Sequence, residues 1–308
     1  MTGSAGSPGG PPADGGPAVP TCYRHADRET YVRCSRCERY ICPDCMSAAP
    51  VGFHCPECVN QGSKSVRQGK TILGGAVRER GDLVTKSLVG ITVVMWLLGL
   101  VVGNGSLSDE LARASRGLIN WSEITARLGL VMGSSGDPVS IGLADGEWYR
   151  MLTVALVHEE FFHIGMNMFA LWILGSALEP VLGRWRFIAL YVLSALGGSA
   201  ASLLTAGLYT VSIGASGAVF GLFGALFIIM RRLGRDTGAV VVILGINVVF
   251  GFMVEGIDWR AHLGGLVVGT ALAAVFAFVP RRFRTVGAVT ACVLMFAIVM
   301  TVAVSQVP

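Results

Sequence analysis

Ser216 is a hydroxyl that could act as a nucleophile, but only where a base takes its proton. His262 is such a base, with an ordinary pKa near ~6.5. His163 and Asn167 stand four residues apart, so on a helix they share one face. Both can donate hydrogen bonds, which suits an oxyanion pocket. No Asp or Glu lies in these stretches at the level of His262, so the spacing predicts a Ser–His dyad rather than a triad. Small residues surround the serine: Gly214-Ala215-Ser216-Gly217, then Gly221 and Gly224. His262, Gly265 and Gly269 share a helix face that could pack tightly against the serine's helix.

A second chemistry sits near the N-terminus. Seven of the eight cysteines lie between Cys22 and Cys58, in two-residue knuckles: Cys22-x2-His25, Cys34-x2-Cys37, Cys42-x2-Cys45 and Cys55-x2-Cys58. Such spacing favours metal over disulfides, and thiolate–metal modules suit a reducing compartment. Eight ligands serve two tetrahedral zinc ions. Only four residues separate Cys37 from Cys42, so interleaved sites are expected. One takes Cys22, His25, Cys42 and Cys45; the other takes Cys34, Cys37, Cys55 and Cys58, with His54 as the alternative to Cys55. Full coordination leaves no open position, so the zinc is expected to be structural. Cys292 stands alone in an apolar run and reads as an inert packing residue.

The elements that carry the serine and histidine are set by composition. Of 308 residues, 53% are hydrophobic and 14% charged, with mean hydropathy +0.62. A soluble domain has roughly 25% charged residues, so a soluble enzyme or a nucleic-acid binder is a poor fit. From residue 87 onward, apolar runs recur at 87–103, 162–182, 186–206, 213–231, 238–254, 260–279 and 286–305. Each is close to the ~20 residues a transmembrane helix needs, and lipid leaves helices as the way to satisfy the backbone. The fold expected is an all-α polytopic membrane protein with seven spans. The connection 104–161 reads as a structured loop at the membrane surface, with amphipathic pieces around 107–131. Residues 1–20, with six Gly and five Pro, read as a disordered tail without a signal peptide, and 61–86 as a basic linker.

Arginines recur at Arg184/Arg186, Arg231/Arg232/Arg235 and Arg281/Arg282/Arg284, and basic residues precede the first span. Alternating spans put all of these on one face, so the N-terminus and cysteine module are expected in the cytoplasm and the C-terminus outside. The same alternation places His163, Ser216 and His262 on three helices that run inward, all near their outer starts, roughly 5–10 Å deep. Taken singly, a membrane serine commonly bonds its own helix and a histidine is packing. Polar groups at one depth on three helices are instead what a site requires.

These residues resemble the rhomboid intramembrane serine proteases over roughly residues 87–280. Gly214-Ala215-Ser216-Gly217 is similar to the family's GxSG nucleophile motif, His262 with Gly265 and Gly269 to its catalytic-histidine helix, and His163-x3-Asn167 to its oxyanion pair. Trp148-Tyr149-Arg150 resembles the Trp/Arg motif of the first loop, which would be loop-stabilising, and Glu179 the acidic residue ending the second helix. Phe220 falls at the aromatic position that packs under the catalytic histidine in that family. The resemblance implies a rhomboid domain at 87–308, a six-helix bundle plus a seventh C-terminal helix. The implied substrate is a single-pass membrane protein, cut in or near its transmembrane segment at a small residue and entering past the fifth span. No cofactor is implied for proteolysis. The order of ligands at 21–60 resembles a B-box-type cross-braced zinc finger, which implies a cytoplasmic protein partner.

The expectation is therefore an intramembrane serine endopeptidase of the cell (plasma) membrane, opening to the outer side. The alternatives are a non-catalytic rhomboid-like binder of membrane helices and a transporter; against the latter, the polar groups stop at one depth. Glu179 is expected to pair with a nearby arginine, and His158 to be an exposed loop histidine or a substrate-side group.

Overall fold

The computed structural model describes residues 19–65, 71, 73, 81–102, 123–133, 142–204, 211–254 and 256–307. Residues 1–18 of the expected tail, half of the linker and the amphipathic pieces at 107–122 lie outside these residues. The chain divides into two compact units, Met1–Gln68 and Gly69–Pro308.

In the N-terminal unit the chain is pinned by short pairings: Thr21 with Glu29, Arg33 with Tyr40, and Cys34 with Phe53. A hairpin of β1 (Ser47–Ala48) and β2 (Phe53–His54) follows, with Gly52 at φ 68 in its turn. Helix α1 (Pro56–Ser65) closes the unit and runs into the segment expected to be linker. Ile41 is the one buried aliphatic residue described here; the other buried hydrophobics are Cys22, Cys34, Cys42, Cys45, Cys55 and Cys58. A core made of sulfur has little apolar area, so the unit's stability must come from what the sulfurs bind.

The second unit is helical: α2 (Leu83–Val102), α3 (Glu123–Leu128), α4 (Arg150–Thr153), α5 (Phe161–Leu182), α6 (Arg184–Leu203), α7 (Ser216–Arg232), α8 (Gly238–Met253), α9 (Trp259–Phe278) and α10 (Arg284–Val304). Five of these, α2, α5, α6, α9 and the last, are long and apolar enough to cross a membrane; α7 and α8, at 17 and 16 residues, are shorter. The protein is a polytopic helical bundle, with α10 as the seventh long helix. Boundaries differ from the hydropathy spans where local chemistry intervenes. Gly183, at φ 83, turns α5 directly into α6. Asp258 caps α9 by accepting the Ala261 N–H at 3.2 Å. Gly214, at φ 107, delays α7 until Ser216.

Helix α6 is the axis of the bundle, 78% buried, whereas the described parts of α2 and α10 are mostly exposed, as lipid-facing helices are. Its small residues explain this: Ser194, Gly197, Gly198, Ser199 and Ala200 let α7 and α9 approach closely. Helices α7 and α9 form the closest pair, followed by α6 with α9.

Candidate active site and metal centres

The approach to Ser216 is held at three points. Ser212 exchanges backbone hydrogen bonds with Leu130, at 2.9 and 3.0 Å. The Gly214 N–H donates to the Val154 carbonyl at 3.0 Å. The Ala215 N–H donates to Nε2 of His158 at 3.2 Å. Gly214 is required on two grounds. Its φ is left-handed, and a Cβ there would lie 2.6 Å from Nε2 of His163. So fixed, Ser216 is the first residue of α7 and half-buried, and its backbone N–H belongs to the unsatisfied first turn of that helix.

Three helices meet beside the serine. A Cβ on Gly198 of α6 would lie 2.8 Å from the Ala261 carbonyl oxygen and 3.3 Å from Cα of Gly217; one on Gly217 would lie 3.2 Å from that carbonyl. Ala261 immediately precedes His262. The His262 ring stacks on Phe220, with centroids 4.2 Å apart and planes 11° from parallel. Phe220 is one turn after Ser216 on the same face of α7, so the histidine lies over the face that carries the serine. On its other side is α8: a Cβ on Gly251 would lie 3.5 Å from Nδ1 of His262. That Nδ1 has no hydrogen-bond partner among the described residues. Asp258, four residues earlier, directs its carboxylate to the Ala261 N–H and the Ser202 hydroxyl instead. Among the described residues, the stacked ring holds the imidazole and no carboxylate is hydrogen-bonded to Nδ1, while Asp258 acts on it through charge.

His163 and Asn167 line the same region from α5. His163 lies against Gly214, and its ring meets that of His158 edge-on at 4.9 Å. Asn167 is buried and donates one amide N–H to the His163 carbonyl at 3.0 Å, leaving its second for another acceptor. A small cavity beside Ser216 is lined by Val154, Ala195, Gly198, Ser199, Gly217 and Ala261, among others. Most of its walls are Gly, Ala and Ser, so little side chain crowds the serine.

The supporting residues take separate tasks. Arg150 is 4% exposed; its Nε donates to Glu147 at 2.5 Å and its Nη1 to the Gly129 carbonyl at 2.9 Å, which ties the loop together. Trp148 packs partly buried against the bundle core. Glu179 makes the arginine contact expected of it, with Nε of Arg184 at 3.9 Å, and takes a second task besides. Its carboxylate accepts the Val84 N–H, the Thr85 N–H and the Thr85 hydroxyl, at 2.8–2.9 Å, capping α2. Gly265 and Gly269 of α9 lie against the backbone of Gly217 and Gly221 on α7. His158 is a correction: it is 5% exposed, not an exposed loop residue, because its acceptor nitrogen is used by the serine loop. Sequence reasoning also passed over Gly198 and Asp258. The Gly197-Gly198-Ser199 run was a visible signal for close packing, and Asp258 ahead of an apolar run was a visible cap.

In the N-terminal unit the ligand atoms of Cys22, His25, Cys42 and Cys45, and separately those of Cys34, Cys37, Cys55 and Cys58, lie within 4.8 Å of one another. Nδ1 of His25 is 3.3 Å from Sγ of Cys42 and 3.5 Å from that of Cys45; Sγ of Cys37 is 3.7 Å from that of Cys55. Bonds of ~2.3 Å to a central ion give such separations between tetrahedral sulfurs. His54, on β2, is outside both sets. Burial would raise the Cys22 and Cys34 thiols, but backbone N–H donors prevail and hold both at about 6. Cys45 is pushed up to about 11, and Cys58 to about 12, by burial and then by their neighbouring thiols. Each set thus concentrates negative charge that a divalent cation would neutralise. Either set could hold a metal ion.

Together the bundle defines a class: a multi-pass helical membrane protein with a serine at a helix N-terminus beside a stacked histidine. The Rhomboid domain family matches residues 145–279. The chain is 39% identical over 140 residues to the rhomboid protease GluP of Bacillus subtilis, which covers 43% of this chain and 27% of GluP. It is 36% identical over 138 residues to the putative rhomboid protease YdcA of the same organism, covering 43% of this chain and 69% of YdcA. Rhomboid-type serine protease 2 of Emericella nidulans is 31% identical over 148 residues, which is 46% of this chain and 29% of that protein. The chain belongs to the rhomboid family.

Proposed function

We propose that the protein is an intramembrane serine endopeptidase acting through Ser216 and His262. The observation that carries this reading is the stacking of His262 on Phe220, one helical turn after Ser216. Ser216 Oγ attacks the scissile carbonyl carbon while His262 takes the hydroxyl proton. The carbonyl oxygen becomes an oxyanion, held by the Ser216 backbone N–H, His163 and the free amide N–H of Asn167. The C–N bond then breaks, His262 returns its proton to the leaving amine, and an acyl-serine remains. Water deprotonated by His262 hydrolyses that ester and restores the serine.

The substrate on this reading is a single-pass membrane protein, cut in or near its transmembrane segment. Cleavage at a small residue is what the family resemblance implies, and the narrow space lined by Gly, Ala and Ser beside Ser216 is consistent with it. The arginine-rich ends support a cytoplasmic N-terminus, an outward-facing site and a place in the cell membrane. In the N-terminal unit, the two sets of ligands would each hold one zinc ion, with no open position for catalysis, in a cytoplasmic module for protein partners.

The test is labelling by a fluorophosphonate probe of the purified protein in mild detergent. Wild type should be labelled, and Ser216→Ala and His262→Ala should not. Unlabelled wild type, beside an active rhomboid labelled in the same detergent, would move the reading to a helix-binding protein without catalysis.

A further inference from the structure

Two arginines at the end of the bundle remote from Ser216 keep hydrogen-bonding capacity that no described residue uses. Arg186, in the first turn of α6, is 4% exposed. Its Nη1 donates to the Leu73 carbonyl at 2.6 Å and its guanidinium lies over the Trp185 ring, 5.0 Å from the centroid. Its Nε is buried without a partner among the described residues. Arg284, the first residue of α10, also has a buried Nε without a partner there. The groups that act electrostatically on Arg186 are Arg284 and Cys292, and no carboxylate is among them. Glu179, the acid at this end of α5, is taken by the α2 N-terminus and by Arg184, 3.9 Å away.

Helices α6 and α10 pack together and, by alternation of the helices between them, start at the same membrane face. Their first turns add unpaired N–H groups and the positive ends of two helix dipoles to the two guanidiniums. Paired like charges with unsatisfied donors are costly away from water. An anion with several acceptor oxygens removes both costs, and the guanidinium fork matches phosphate. Trp185, 44% exposed and edge-on to Phe276 at 6.3 Å, is an aromatic of the kind that lies at headgroup level.

We propose that Arg186 and Arg284, at the adjoining N-termini of α6 and α10, bind one phosphate group. This inference does not depend on the protease reading. A phospholipid headgroup and free phosphate present the same chemistry, and the experiment separates them. Full-length protein in an uncharged detergent is titrated with dioleoyl phosphatidylglycerol, with dioleoyl phosphatidylcholine, or with inorganic phosphate at constant ionic strength. Native mass spectrometry counts bound lipid and a thermal melt reads protection.

The expected result is one retained phosphatidylglycerol per chain, weakened about tenfold by Arg284→Gln. Arg282→Gln removes the same charge from an exposed neighbour and should leave that binding unchanged. Saturable protection by inorganic phosphate alone, lost in Arg284→Gln, would assign the same site to free phosphate. Arg186→Lys keeps the charge but not the fork and should weaken either ligand, which guards against Arg186→Gln failing to fold. Equal binding of the two lipids with no effect of phosphate would overturn the proposal. So would equal losses in Arg284→Gln and Arg282→Gln, which would mean general surface charge.

Discussion

Gly265→Ala tests whether the contact between α7 and α9 sets the geometry of the serine and histidine. A Cβ on Gly265 would lie 2.6 Å from the carbonyl carbon of Gly217 and 3.1 Å from its Cα, and closer still to the oxygen. All three are backbone atoms of a helix, so none can swing aside as a side-chain tip could. Carbon contacts are comfortable at about 3.5–4.0 Å, so the helices must part by about 1 Å. Gly217 is bonded to Ser216, and Gly265 lies one turn from His262 on the same face, so the displacement falls between these two residues. Overpacking of this kind costs about 1–3 kcal/mol of stability. A misplacement of about 1 Å costs a rate of the order of a hundredfold. The assay is the rate of fluorophosphonate labelling beside a thermal melt in detergent. Gly90→Ala is the control, because nothing lies within 4 Å of its Cβ position. Gly265→Ala should stay folded and label about a hundredfold more slowly. Labelling at the wild-type rate in a folded Gly265→Ala protein would refute the argument that this seam fixes the site.

Phe220→Leu removes the ring under His262 while keeping an apolar residue. An aromatic stack contributes about 0.5–1.5 kcal/mol, so labelling should slow by up to about tenfold with little change in the melt. In His158→Ala the Ala215 N–H loses its acceptor in a buried loop, which costs about 1–3 kcal/mol. Both the melting temperature and the labelling rate should fall, and an unchanged melt would mean that His158 does not hold the loop. Purified protein should carry two zinc ions per chain by elemental analysis. Thiolates bind metal and protons compete for them, so zinc is retained at neutral pH and released as the pH falls. Chelation should make residues 19–65 protease-sensitive.

The sequence displayed the chemistry more fully than the scaffold. The candidate residues Ser216, His262, His163 and Asn167 stood out because polar residues inside apolar runs are rare, and the structure brings them to one region. The cysteine knuckles were visible because ligand spacing survives without any knowledge of the fold, and the interleaved sets are those the structure gathers. Helix ends were less legible. Hydropathy cannot see that Gly214 is left-handed, so it began α7 at residue 213 instead of Ser216. The pairing of Glu179 with an arginine was legible because its nearest charges in sequence are arginines, and Arg184 lies 3.9 Å away. Its shorter bonds, to N–H groups about ninety-five residues away at the start of α2, were not. His158 looked exposed because it stands in a polar stretch, while its burial depends on the loop that folds over it.

Among the described residues no carboxylate is hydrogen-bonded to Nδ1 of His262, and this has a physical rationale in the bundle. In a soluble Ser–His–Asp site the acid sets the tautomer of the imidazole and stabilises the imidazolium that forms. Inside a membrane domain a third ionised group carries a large desolvation cost, and it must be paired to persist. The one acid close by, Asp258, stays at the helix cap, where the Ala261 N–H and the Ser202 hydroxyl satisfy it. Orientation of the imidazole falls to contacts without formal charge: the face of Phe220 on one side and Gly251 of α8 on the other. Such contacts give position without a buried charge, but they do little for the imidazolium. On the proposed mechanism, that stabilisation comes from the developing oxyanion and from the charge of the Asp258 carboxylate, which acts on the ring without bonding it. A Phe220→Asp substitution would therefore not be a gain of a catalytic triad. It would exchange a stacking surface for an unpaired buried carboxylate, and the protein should lose stability and labelling together.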